Sequence, residues 1–362
     1  LRRLPSATKQ TRCQIMMLKA ALLLVPAAAL TDESLFELFK SDYVKSYNST
    51  EAEAERFTIF SANLRKTEAL NAQRVDEDDA EFGVTQFMDL TEEEFKAQYL
   101  NYVPSEQVLT EDVYAAPEGF AAPGSLDWRT KQSGVVSDVK DQGQCGSCWA
   151  FSATEQIESE WVLAGNDPLV FAPQQIVSCD KVDQGCNGGN TETAYAYVEK
   201  AGGMALESAY PYKSGASGNT GRCKEFKTAG GDVESFSYVV PECKKGKCND
   251  QDEDKMAAAL ASHGPASICV NAGAWQTYTK GVMTNLQCGS HAANALDHCV
   301  QVVGYTGYTG DAKACGKGLK DKCVWNVRNS WGTSWGYQGY IRVQMGKNAC
   351  GIANDATFAK VK

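Results

Sequence analysis

From Trp149 to Leu163 the chain reads Trp-Ala-Phe-Ser-Ala-Thr-Glu-Gln-Ile-Glu-Ser-Glu-Trp-Val-Leu without a Pro or Gly, and Gly165 follows. This predicts a helix that begins at Cys148 and stops at the glycine. Residues 32–72 are charged and helix-friendly, whereas Tyr337-Gln338-Gly339-Tyr340-Ile341-Arg342-Val343 alternates as a strand does. Thr110 to Gly124, with Pro117, Pro123 and many small side chains, reads as an exposed, cleavable linker. Near the N-terminus, Lys19 precedes the short apolar run Ala20–Leu30, which ends in small residues and is too short to span a bilayer. Residues 17–30 therefore read as a signal peptide and 1–16 as a non-native extension ahead of it.

Composition narrows the class. A chain of 362 residues exceeds one average domain, so a processed precursor or a two-lobed enzyme is expected. A net charge of −10 and a pI near 5.0 argue against nucleic acid as a partner and suit an acidic compartment. Fourteen cysteines point to an oxidising route through the secretory pathway. No metal or cofactor is called for.

Cys148 is the candidate nucleophile, because a thiol at a helix N-terminus faces unpaired N–H groups and the positive end of the dipole, which favour thiolate. Its surroundings, Gln142-Gly-Gln-Cys145-Gly-Ser-Cys148-Trp-Ala-Phe, resemble the active-site signature of papain-like cysteine proteases. The same resemblance identifies His298 in Leu296-Asp297-His298-Cys299 and Asn329 in Asn329-Ser330-Trp331-Gly332 as partners. They follow Cys148 by 150 and 181 residues (298 − 148, 329 − 148), the second long for the family, which is attributed to an insertion around Cys315–Cys323. The implied roles are attack by Cys148, proton transfer by His298, orientation of the ring by Asn329, shielding by Trp331, and an oxyanion donor at Gln142. His263 and His291 fall in no matching motif and read as structural or surface residues.

Two other readings compete. Cys145-Gly-Ser-Cys148 is formally the Cys-x-x-Cys of a disulfide exchanger, but the Trp follows the second cysteine where that motif usually has it before the first. A catalytically dead papain-like binding protein would normally lack the nucleophile or the His, and both are present.

The resemblance implies an α+β, two-lobed papain-like fold over 122–362: a helical L lobe around the Cys148 helix, and an antiparallel β-barrel R lobe with strands such as 299–305 and 324–328. It also implies a helical inhibitory propeptide over 31–121. Arg56, Phe60, Asn63 and Asn71 follow the spacing of the cathepsin-L-type helical motif, with Ala52 and Thr67 as departures. Phe82–Asp89 follows the second motif, with Thr85 where Asn is usual. In the family such a segment lies in the cleft, reversed relative to substrate, until acid or a protease releases it. The mature chain would start near Ala122, and the sequon Asn48-Ser49-Thr50 would be lost with the propeptide.

Resemblance pairs Cys145 with Cys186, Cys179 with Cys223 and Cys288 with Cys350. The local candidates are Cys243 with Cys248, Cys315 with Cys323, and Cys269 with Cys299, which, with Cys13 going with the leader, leaves Cys148 free. Substrate contacts map to Gly188, Gly189, Asp297 and Trp331, the walls of the S2 pocket to Thr191, Cys269, Leu296 and Cys299, and its floor to Asp355. The expected partners are protein and peptide substrates and the chain's own propeptide. A monomer without a stable membrane anchor, lysosomal, vacuolar or extracellular, completes the reading.

Overall fold

The computed structural model describes residues 31–105, 107, 109–315 and 323–362. The signal-peptide and extension readings on residues 1–30 lie outside them. The main helices are α1 (Asp32–Asp42), α2 (Thr50–Ala72), α3 (Glu92–Tyr99), α4 (Cys148–Leu163), α5 (Pro173–Cys179), α6 (Thr191–Ala201) and α7 (Glu253–Ser262). The strands are β1 (Glu81–Phe82), β2 (Ser125–Asp127), β3 (Val233–Tyr238), β4 (Ala266–Val270), β5 (Tyr278–Lys280), β6 (Val282–Met283), β7 (His298–Thr306), β8 (Val324–Arg328), β9 (Tyr340–Gln344) and β10 (Asp355–Val361).

Two compact units divide between Phe57 and Thr58. In the first, Thr31 caps α1 by accepting from the Ser34 N–H (3.3 Å), Phe36 stacks on Tyr47 and meets Phe57 at a tilt, and Lys40 pairs with Glu37 and Glu53. The second unit contains all the rest. The segment read as a propeptide over 31–121 packs, from Thr58 onward, in one unit with residues 122–362. Asn63 Nδ2 donates to the carbonyls of Met88 and Leu90, both at 2.9 Å. Thr91 and Glu94 start α3 with a reciprocal capping box (3.1 and 2.9 Å). β1 pairs with β5 across the same unit.

Seven strands form a sheet in the order β3-β10-β4-β7-β8-β9-β6, with β2 added on β7. The pairs are antiparallel except β6 with β9, which departs from the all-antiparallel expectation. The strand expected at 337–343 begins only at Tyr340. Gln338 and Gly339 take positive φ (51° and 91°), so the alternating letters there belong to a turn. The linker also differs from expectation at one point: Tyr114 N–H donates to the Tyr238 carbonyl (2.7 Å) and Tyr238 N–H to that of Asp112 (2.8 Å), tethering 112–114 to the end of β3.

One core gathers Trp275, Trp331 and Trp335 with Phe87 and Phe95 of the leading segment. A second surrounds α4 with Trp149, Ile157, Phe171, Tyr195 and Val198. The face of α4 toward the sheet is polar. Glu155 lies 3.3 Å from Arg328, Glu158 3.0 Å from Lys140 and Glu160 3.1 Å from His263, all three carboxylates buried. A buried carboxylate needs such a partner, since desolvation alone would force it neutral.

Candidate active site

α4 begins without a side-chain cap, because the Ser147 hydroxyl is turned to Tyr212 Oη (2.9 Å). Cys148, the first residue of the helix, is fully buried and is the free cysteine among the described residues. Its thiol lies beside backbone groups of Cys299, Asn101 and Trp149.

His298 opens β7, and its Nε2 is 2.8 Å from Asn329 Oδ1, immediately past β8. Antiparallel pairing of β7 with β8 brings the two strands alongside each other. Asn329 is fixed through its N–H to the Gly339 carbonyl (2.9 Å), and its Oδ1 also accepts from the Ser330 N–H (2.8 Å). The Trp331 ring stacks on His298 with centroids 4.7 Å apart, covering the contact with Asn329. Nδ1 of His298 is buried, with the Tyr99 carbonyl near the ring and no well-aligned hydrogen bond among the described residues.

Gln142 donates through Nε2 to the carbonyls of Cys145 (3.0 Å) and Tyr99 (3.3 Å), and its Oε1 accepts from Ser330 Oγ (2.8 Å). The strand of leading segment just after α3 thus crosses directly over these residues. Asn101 and Val103 bracket Gly189 through hydrogen bonds of 3.2 and 2.9 Å, and Tyr102 N–H donates to the Asp297 carbonyl (3.0 Å). The Tyr102–Gly189 bridge is parallel. Gly188 makes room for it: its φ is +126°, and a Cβ there would stand 2.7 Å from the Asn101 carbonyl oxygen.

Tyr102 fills a pocket with Cys269, Cys299 and Leu296, and its hydroxyl donates to Asp355 Oδ2 at 2.8 Å. Cys269 and Cys299 face each other across β4 and β7 and are disulfide-bonded. The remaining bridges join Cys145 to Cys186, Cys179 to Cys223, Cys243 to Cys248, Cys288 to Cys350 and Cys315 to Cys323. Thr191 stands at the start of α6, its hydroxyl donating to Glu192 (3.1 Å).

Burial under the leading segment dominates the electrostatics. It pushes the Cys148 thiol up to about 11 and His298 down to about 4, the latter against the Asn329 hydrogen bond and the Tyr99 carbonyl. The helix terminus led to the opposite expectation for the thiol. Desolvation outweighs it here, so burial favours the neutral form of the thiol and of the imidazole alike. Asp297 is likewise raised to about 7 by burial, although Ala272 N–H and Lys96 oppose the rise.

Sequence reading missed several of these residues. Tyr99, Tyr102 and Glu192 fall in none of the motifs read from the sequence. A phenol next to an Asn-Tyr-Val extended run was the available signal for Tyr102. None of the described residues forms a cluster of three or more metal-ligating side chains.

Residues 122–360 match the papain family cysteine protease domain, and residues 36–95 match the cathepsin propeptide inhibitor domain. Cysteine proteinase 1 of Dictyostelium discoideum is 37% identical over 343 residues, covering 90% of this chain and 92% of that protein. Cysteine proteinase 1 of Zea mays is 39% identical over 344 residues, with 89% and 85% covered. Among solved structures, digestive procathepsin L2 from Tenebrio molitor larval midgut superposes with a TM-score of 0.75 at 30% identity, over 91% of this chain and all (100%) of that one. A recombinant stem bromelain precursor does so at 0.74 and 29%, over 91% and 99%.

Proposed function

The chain belongs to the papain family of cysteine proteases, and from that premise we propose that Cys148, His298, Asn329 and Gln142 are its catalytic residues. It is a cysteine endopeptidase with an inhibitory propeptide, made as a latent zymogen. The observation that carries the residue assignment is the 2.8 Å hydrogen bond from His298 to Asn329 beneath Trp331, with the Cys148 thiol beside the backbone of the residue that follows His298.

Once the cleft is open to water, the desolvation that holds the pair neutral is relieved, and the proton of Cys148 passes to His298. The thiolate attacks the scissile carbonyl, forming the C–S bond, while the Gln142 amide and the Cys148 N–H receive the oxyanion. His298 gives its proton to the departing amine, and water then hydrolyses the thioester. Asn329 keeps the ring in plane throughout.

The leading segment serves as inhibitor by filling the positions a substrate would use: its backbone runs along Gly188, Gly189 and Asp297, and Tyr102 takes the S2 pocket made by Thr191, Cys269, Leu296 and Cys299 over Asp355. The propeptide spans 31–121 and the peptidase 122–362, behind a signal peptide at 17–30. The mature enzyme is a monomer without a membrane anchor, acting in a lysosome, a vacuole or outside the cell; no helix among the described residues is long and apolar enough to cross a membrane.

The test is to activate the protein in acid, label it with a thiol-reactive epoxide and map the adduct, alongside Cys148→Ala. The adduct is expected on Cys148, with no turnover in the variant and an unchanged fold. Hydrolysis by Cys148→Ala above trace level defeats the assignment.

A further inference from the structure

Behind Asp355, the S2 pocket contains a second carboxylate. Glu192, in the first turn of α6, is 3% exposed, and its carboxyl lies in hydrogen-bonding reach of that of Asp355. Each oxygen of Glu192 already has a donor, Oε1 from the Tyr238 hydroxyl (3.2 Å) and Oε2 from Thr191 (3.1 Å). Asp355 is 2% exposed; its Oδ2 accepts from Tyr102, and its Oδ1 has no donor among the described residues.

The groups facing this pair come from four elements. Tyr195 on α6 sends its hydroxyl toward Thr357 on β10 (3.4 Å), Tyr238 ends β3, Glu242 follows it and is paired with Lys244 at 3.0 Å, and Tyr102 comes from the propeptide. The sole cation among them is Lys244, and it is taken by Glu242. Among the described residues nothing positive therefore compensates Asp355 and Glu192, and two adjacent buried carboxyls without a cation cannot both ionise. The missing donor at Asp355 Oδ1 is where a proton shared with Glu192 would sit.

We propose that Asp355 and Glu192 work as one acid pair holding a single proton, and that this makes S2 select peptides whose P2 side chain, two residues before the scissile bond, is tyrosine rather than phenylalanine. The proposal rests on the peptidase reading above and adds to it a substrate class and a positioning residue, Glu192. The propeptide already shows the complementarity: an aromatic ring against the Cys269–Cys299 wall and Leu296, ending in a phenol that donates to the pair. A hydrocarbon ring would leave the buried Oδ2 without a donor, which costs more than the bond itself contributes. Both rings fit the wall; the phenol alone satisfies the acid.

The experiment measures kcat/KM of the mature enzyme on matched peptides with P2 Tyr, Phe or Arg from pH 4 to 8, in wild type, Asp355→Asn and Glu192→Gln. Wild type is expected to favour Tyr over Phe by about tenfold, the equivalent of one charged hydrogen bond, and Asp355→Asn, whose amide oxygen still accepts but carries no charge, to lower that ratio. The Arg-to-Phe ratio, which follows the charge of the pocket, rises in two steps with pH in wild type and in one step in Glu192→Gln. If Glu192→Gln fails to fold, Tyr238→Phe replaces it: losing the donor to Glu192 moves the upper step to higher pH. A Tyr-to-Phe ratio near one in wild type, or the same pH curve in wild type and variant, overturns the proposal. Failure to cleave any of the peptides would instead count against the peptidase reading.

Discussion

Phe95 is the propeptide residue whose removal should weaken latency most directly. It is fully buried, with its ring 5.1 Å from Phe87, 5.6 Å from Tyr99 and 5.3 Å from the edge of Trp331. Truncating a fully buried Phe to Ala costs about 3–5 kcal/mol, with aromatic pairing included in that range. Trp331 belongs to the peptidase, and a released propeptide would leave Phe95 much more exposed, so most of this loss falls on docking rather than on the fold of either part. Taking the lower bound, ~3 kcal/mol weakens docking by about a hundredfold. The assay follows hydrolysis of a fluorogenic peptide at neutral pH by unprocessed Phe95→Ala, with Cys148→Ala versions of both chains unfolded thermally to compare stability without self-cleavage. The variant should leak activity before processing and melt at lower temperature. If it stays as latent and as heat-stable as the parent, the aromatic cluster does not hold the propeptide in place.

Two further outcomes follow from the site electrostatics. Because burial keeps Cys148 and His298 neutral in the capped form, iodoacetamide at pH 6 should modify Cys148 rapidly in processed enzyme and very slowly in the proform; equal rates would contradict a neutral, covered pair. Glu92 bridges α2 and α3, its carboxyl held below its usual range by hydrogen bonds from Lys96 and Lys66. A depressed carboxyl contributes stability that is present above its unfolded value and is lost as pH falls through the folded one, so Glu92→Gln should activate at higher pH than the parent and with a shallower pH dependence, read as the rate of self-processing against pH; an unchanged profile would exclude Glu92 from acid release.

Much of the chemistry was legible in the letters because catalysis tolerates few substitutes. The proposed catalytic set is a thiol at a helix start, a His at the start of one strand and an Asn just after another, and each was picked out by a short run of letters. What the letters hid was what depends on distant neighbours. Glu192 and Asp355 are separated by most of the peptidase and carry no shared motif, so their contact becomes visible only when α6 lies beside β10. The state of Cys148 was misjudged for the same reason: the helix end is local and was counted, while the cover supplied by Tyr99–Val103 arrives from far upstream and outweighs it. At Tyr337–Gly339 the alternation was real but the backbone turned, since period two describes side-chain polarity and not the sign of φ.

The carboxylates along α4 leave a constraint on how this molecule can drift through evolution. Glu155 answers to Arg328, Glu158 to Lys140 and Glu160 to His263, each partner lying outside the helix and most of them far along the chain. Losing any of the three carboxylates' partners, or Glu155 from beside the buried Arg328, strands a buried charge, so viable descendants should alter these pairs in matched steps, and the helix that begins at Cys148 should exchange its polar face only together with the loop, the strand and the helix end that answer it.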